Sequence, residues 1–147
     1  MSWANRYVGL SYADDGITGG YHCWSLVRLV LAEQCGVDVP TYGDISATNL
    51  IAAARAVSRD HVLDPWLLVD EPQPFDVVVM LARVKFDGGG SRRVPSHVGI
   101  MVDRERLLHI EAGLDAVMVS LNHPSIRFRL HQLIRHRALT DDVAAFA

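Results

Sequence analysis

Residues 19 to 36 read GGYHCWSLVRLVLAEQCG, which sets Cys23 directly after a glycine-rich turn and at the start of an apolar run with helical spacing. A cysteine at a helix N-terminus lies at the positive end of the macrodipole, worth roughly half a unit charge. That position favours the thiolate and predicts a pKa below the ~8.5 of a free thiol. A thiolate nucleophile needs a base within reach. His97 in SHVGIMV and His109 in RLLHIEA lie 12 residues apart, and between them Asp103, Arg104 and Glu105 read as a turn. If that turn closes a hairpin, antiparallel pairing carries both histidines to neighbouring places on one sheet. The set would then supply nucleophile, base and a group to orient the base. Taken alone, a helix cysteine is far more often a small core residue than a nucleophile, and a strand histidine is usually a partly buried polar group. Cys35 keeps that core reading, and Cys23 is expected to be the more reactive thiol.

Composition narrows the remaining choices. A chain of 147 residues with 50% hydrophobic side chains can bury one core, so a single domain over residues 1–147 is expected. A net charge of −3 gives no electrostatic footprint for nucleic acid, and the basic residues form only short clusters near Arg92 and from Arg127 to Arg137. No apolar stretch approaches the ~20 residues of a membrane span, and MSWANRYVGL lacks the basic and apolar regions of an export leader. The expectation is cytoplasmic synthesis. Two cysteines 12 residues apart on one helix would stand roughly 18 Å apart, beyond the ~7 Å Cα limit of a disulfide. The sequence has no CxxC or HExxH, and His109-Ile110-Glu111 is not followed by PCxxC, so neither metal nor cofactor is expected.

The elements that must position these residues follow from periodicity and punctuation. Leu26, Val27, Val30 and Leu31 share one face of a predicted helix from Cys23 to Gln34, ended by Gly36 and Pro40. A second helix is expected over Ile45–Ser58, where four alanines favour it. EPQPFDVVVMLARV turns into a β-branched strand, and VKFDGGGSRRVP reads as a flexible connection. SHVGIMV, RLLHIEA and AVMVSL have the spacing of an antiparallel meander, a last strand lies within IRFRLHQLIRH, and TDDVAAFA reads as a loose tail. Helices first and an antiparallel sheet after is the α+β order. His61, His123, His131 and His136 fall in loop-like or cationic surroundings and read as surface or structural residues.

Three blocks, YVGLSYADDGITGGYHCWSLVRLV, PQPFDVVVM and SHVGIMVDRERLLHIEAG, resemble in order the signature blocks of the NlpC/P60 family of papain-like cysteine peptidases. They cover about 65 residues, and the first is most similar to the phage-tail and gene-transfer-agent branch. The resemblance implies a papain-like α+β fold with N-terminal helices packed on a central antiparallel sheet. It implies Cys23 as nucleophile, His97 as general base and His109 as the residue orienting His97. Tyr12 matches the family tyrosine beside the nucleophile, and Asp76 matches a frequent aspartate read here as structural. Tyr12, His22 and Trp24 are the candidates for substrate binding and the oxyanion site, where the Cys23 backbone N–H is the simplest donor. Cysteine precedes histidine, the unpermuted order.

One position departs from the pattern. The family usually has Asp before the nucleophile, where wall-peptide members use it to recognise a substrate amino group, and this chain has His22. An imidazole supplies no permanent negative charge, so His22 is read either as a substituted recognition residue or as a loop residue turned to solvent. The resemblance implies a peptidase or amidase acting on peptidoglycan peptides, with phage-tail or particle proteins as further partners. Two other readings stand beside it: a tail-assembly protein that keeps the fold and works by binding, and a thiol amidase or acyltransferase with a non-wall substrate.

Overall fold

A computed structural model describes residues 2–13, 20–39, 65–85 and 88–140. A short 3-10 helix, Trp3–Arg6, precedes helix α1 (Cys23–Cys35); six strands follow, β1 (Trp66–Val69), β2 (Val77–Lys85), β3 (Ser91–Met101), β4 (Arg106–Glu111), β5 (Leu114–Ser120) and β6 (Leu130–His136). A one-turn helix α2 (Pro124–Arg127) links β5 to β6. The strands form one antiparallel sheet in the order β1-β6-β2-β3-β4-β5. The α+β class and the β3–β5 meander therefore stand as read from the sequence. The expected helix Ile45–Ser58, His61 and the tail from Asp141 onward lie outside the described residues. Among the described residues, no helix is long and apolar enough to cross a membrane.

Helix α1 is capped at both ends by its own sequence. His22 is the N-cap, its ring accepting the Ser25 N–H while the Ser25 hydroxyl accepts the His22 N–H, a reciprocal capping box. Gly36 ends the helix at φ 67°, a left-handed conformation that glycine adopts without a Cβ penalty. The apolar stripe Leu26, Val27, Val30 and Leu31 is at most 1% exposed and joins Val77, Val79, Val98, Ile100, Leu108, Ile110 and Ile134 on one side of the sheet. Val78, Met80, Met101, Leu107 and Leu133 alternate to the other side and gather around Ile126 of α2. Burial on both faces explains why β2 reads as an unbroken β-branched run.

Two parts of the chain differ from the sequence reading. The segment read as a flexible connection is mostly strand: β2 and β3 run as a long hairpin paired from Val77↔Ile100 to Lys85↔Ser91, and only the glycine-rich tip is left as a turn. Arginine and serine flanking three glycines masked a hairpin in which Arg83, Ser91 and Arg93 are exposed. Strand β1 was not anticipated, because four residues are too few to establish a period. It docks at the edge through Trp66↔His136 to Val69↔Leu133.

Proline shapes the centre of the sheet. Pro95 has no N–H to donate, and the β2–β3 register shifts where Met80 pairs His97 and Leu81 pairs Pro95, leaving Ser96 as an extra residue. The bulge stands immediately before His97.

Candidate active site

Three backbone devices act on the segments that carry the sequence-selected residues. At the first, Tyr21 N–H donates to Ser11 at 2.8 Å and Ala13 N–H to Tyr21 at 3.0 Å, so Tyr12 bridges Tyr21 two residues before Cys23. A Cβ on Gly20 would meet the Ser11 carbonyl oxygen at 2.5 Å, so the approach depends on glycine there. At the second, β3 and β4 pair only at Ile100↔Leu108 and Met101↔Leu107, and the ladder ends before Gly99. At the third, a Cβ on Gly99 would stand 2.8 Å from Leu107 Cδ1, 3.0 Å from the Leu108 oxygen and 3.1 Å from His109 Cβ. The bare backbone at Gly99 lets His109 lie close enough to reach His97.

The two histidines meet at 2.9 Å, His97 Nε2 to His109 Nδ1, with rings at 72°. Only one of these nitrogens carries the shared proton. When His97 donates through Nε2, its Nδ1 is the basic nitrogen left to act on a thiol. The Cys23 sulfur comes to β3 at the residue next to His97: the backbone N–H groups of Val98, Trp24 and Cys23 itself bear on it.

Burial overturns the expected thiol state. Cys23, His97 and His109 are all at most 5% exposed. Desolvation pushes the Cys23 thiol up to about 11, outweighing the three backbone N–H groups that favour the thiolate, while the Glu111 charge raises it further. A helix N-terminus alone would lower the value, but at this site the cost of burying the charge is the larger effect. Desolvation likewise holds His97 down to about 3, assisted by His109 and Arg129 and opposed by Glu111. His109 is lowered too, chiefly by burial. The resting site is a neutral thiol with two neutral imidazoles.

His22 is neither open to solvent nor free to change its ring nitrogen at will. It is 3% exposed, and Nδ1 accepts the Ser25 N–H at 3.1 Å, which places the ring proton on Nε2. Trp24 turns its side chain into the core against Trp66, ring centroids 6.0 Å apart, so what it brings to the sulfur is its backbone N–H. Asp76 is fully buried and structural: Oδ1 and Oδ2 accept Arg135 Nε at 2.7 Å and Nη2 at 2.8 Å, and Oδ2 also accepts the Gln73 N–H.

Sequence reasoning passed over Glu111 and Arg129. Glu111 Oε2 lies 3.8 Å from His97 Nε2, and its carboxylate is gripped by Arg129, Nη1 to Oε2 at 3.2 Å and Nη2 to Oε1 at 3.3 Å. Two-residue alternation along β4 sets Glu111 on the same face as His109, a signal present in the sequence. Ligand atoms of His97, His109 and Glu111 all lie within 4.8 Å of one another. Both carboxylate oxygens face a fixed guanidinium charge, however, so the donor set suits a proton better than a divalent cation.

No family model matches the chain, and no curated protein matches it. Solved structures do match: 18 chains are similar in fold. One is a protein from Staphylococcus aureus subsp. aureus Mu50, described as similar to lipoprotein, NLP/P60 family, with a TM-score of 0.54 and 18% sequence identity. The likeness covers 90% of this chain and 38% of that one, so this chain spans well under half of its neighbour's length. What the comparison establishes is the architecture: the chain shares its α+β fold with an NLP/P60 family protein.

Proposed function

We propose that this chain is a thiol hydrolase acting on an amide bond of bacterial cell-wall peptides, with Cys23 as nucleophile, His97 as general base and His109 as the residue that orients it. The observation that carries the reading is the 2.9 Å His97–His109 contact beside the β3 backbone on which the Cys23 sulfur rests. His97 takes the thiol proton as sulfur adds to the carbonyl, then gives it to the leaving amine. Water, deprotonated by the same imidazole, releases the acyl group and restores the thiol. The Cys23 and Trp24 N–H groups at the helix end are the donors nearest the developing oxyanion. Tyr12, beside the nucleophile segment, borders the substrate path. Peptidoglycan as substrate rests on the blocks that resemble NlpC/P60 sequences and on the fold shared with an NLP/P60 family protein. Placement in a phage tail or tail-like particle rests on the first block alone.

The buried, protonated thiol favours a second reading, a particle component that keeps the fold and works by binding. Purified peptidoglycan incubated with the wild-type chain and with Cys23→Ala separates the two. New peptide termini in the mass spectrum with wild type alone support the hydrolase. Equal fragment patterns from both proteins, with sedimentation onto wall or particle proteins intact, support the binding role.

A further inference from the structure

The reading of His97 as base leaves one charge unexplained. When His97 accepts the thiol proton it becomes an imidazolium at a site 5% exposed, and the neutral His109 ring that holds its Nε2 offers no compensating charge. Three groups bear on that ring: His109 and Glu111 from β4, and Arg129 from the segment between α2 and β6. Glu111 alone among them is an anion. Its Oε2 lies 3.8 Å from His97 Nε2, and Arg129 fixes it there with two hydrogen bonds. Arg129 is itself anchored, since its Nε donates to the Ser125 oxygen at 2.8 Å and its carbonyl accepts the Leu81 N–H at 2.7 Å.

We propose that Glu111, held by Arg129, is a positioning residue that keeps the His97 proton on Nε2 at rest and stabilises the imidazolium formed when His97 takes the Cys23 proton. An acceptor charge beside Nε2 draws the ring proton to that nitrogen and leaves Nδ1 basic toward sulfur. The proton then moves from Sγ to Nδ1, giving a thiolate and an imidazolium whose charge the carboxylate faces. Arg129 acts in opposition, limiting the attraction while fixing the carboxylate's place. The inference rests on the thiol-hydrolase reading for its purpose and on the geometry alone for its electrostatics.

The two halves of the device predict opposite shifts. Glu111→Gln should move the His97 ring titration, followed by NMR of the labelled imidazole, to lower pH than wild type, and Arg129→Gln should move it to higher pH. In hydrolysis, Glu111→Gln should lower kcat by about ten- to hundredfold, the effect of one to two pKa units of lost attraction, with KM within about twofold. Glu111→Asp, which keeps the charge, should recover part of that loss. Titrations that coincide in all three proteins, or that shift in one direction for both glutamine variants, overturn the proposal. Opposite ring shifts in a chain that cleaves no wall peptide would leave Glu111's role standing and remove the hydrolase reading instead.

Discussion

At the scale of single residues, the decisive balance is between a helix end and a buried site. Three backbone N–H groups bear on Cys23, yet the thiol stands near 11, because removing a thiolate from water costs more than those dipoles return. Reactivity toward a small electrophile should then follow the thiolate fraction. Between pH 8 and 10, alkylation of Cys23 by iodoacetamide should rise about tenfold per pH unit, and at pH 7 it should lag a free thiol. Peptide mass spectrometry of protein labelled for fixed times at each pH gives the two cysteines separately. A Cys23 rate already level below pH 8 would instead mean that thiolate and imidazolium exist as a resting pair. Cys23, His97 and His109 were all legible from residue type and spacing. The protonation state was not, since it depends on burial that no local pattern encodes. His22 hid for a related reason: a histidine before a helix is read as ligand or loop, while its Nδ1 does here the work usually given to Ser, Asp or Asn.

At the scale of elements, one strand pair sets the distance between the two imidazoles. Strand β3 carries a bulge at Ser96, forced beside Pro95, and a bare backbone at Gly99; strand β4 presents His109 across that gap. Gly99→Ala is therefore a test of the element rather than of a contact. The new methyl meets the Leu108 carbonyl oxygen at 3.0 Å, which is backbone and cannot rotate away, so β4 must shift and take His109 with it. Overpacking of this kind should cost about 1–3 kcal/mol in urea unfolding. It should also lengthen the His97–His109 hydrogen bond, visible as an upfield move of the shared proton in the NMR spectrum. Unchanged stability and an unchanged shared-proton resonance would show that β4 is not held at that distance by Gly99. The meander was readable because DRE and GLD interrupt three apolar runs, and α1 because its stripe and its glycine stop agree. The β2–β3 hairpin beyond Pro95 was not, since Ser91, Arg92 and Arg93 give its sequence no apolar alternation. Strand β1 depends on β6, 64 to 70 residues distant, and its pairing leaves no local trace.

At the scale of the whole molecule, the site's neutral imidazoles couple its chemistry to folding. His97 titrates near 3 in the folded chain against 6.5 for an ordinary imidazole, and His109 is also lowered. Below pH 6.5 the unfolded chain therefore binds protons that the native site refuses, and stability falls as pH falls. The carboxylates contribute in the same direction only lower down: Glu111 is depressed from 4.5 and Asp103 from 3.8, so their share is lost below about those values. The window from pH 6.5 to 4.5 isolates the histidines. His97 should remove up to about 1.4 kcal/mol of unfolding free energy per pH unit through that window, and His109 adds a loss of the same sign. Urea midpoints measured at half-unit steps should fall steadily for the wild-type chain. His97→Gln, which cannot titrate, should flatten the slope by about one proton's worth while the loss below pH 4.5 persists. On the alkaline side the sign reverses: the unfolded thiol ionises from 9.0 while the buried one keeps its proton to about 11, so stability should fall again between those values, and Cys23→Ala should remove the part of that fall below pH 10, above which Tyr7, raised from 10.0, contributes with the same sign. A wild-type profile flat from pH 6.5 to 4.5, with His97→Gln parallel to it, would mean that the imidazoles are solvated in solution and that the closed, neutral site is not the resting state.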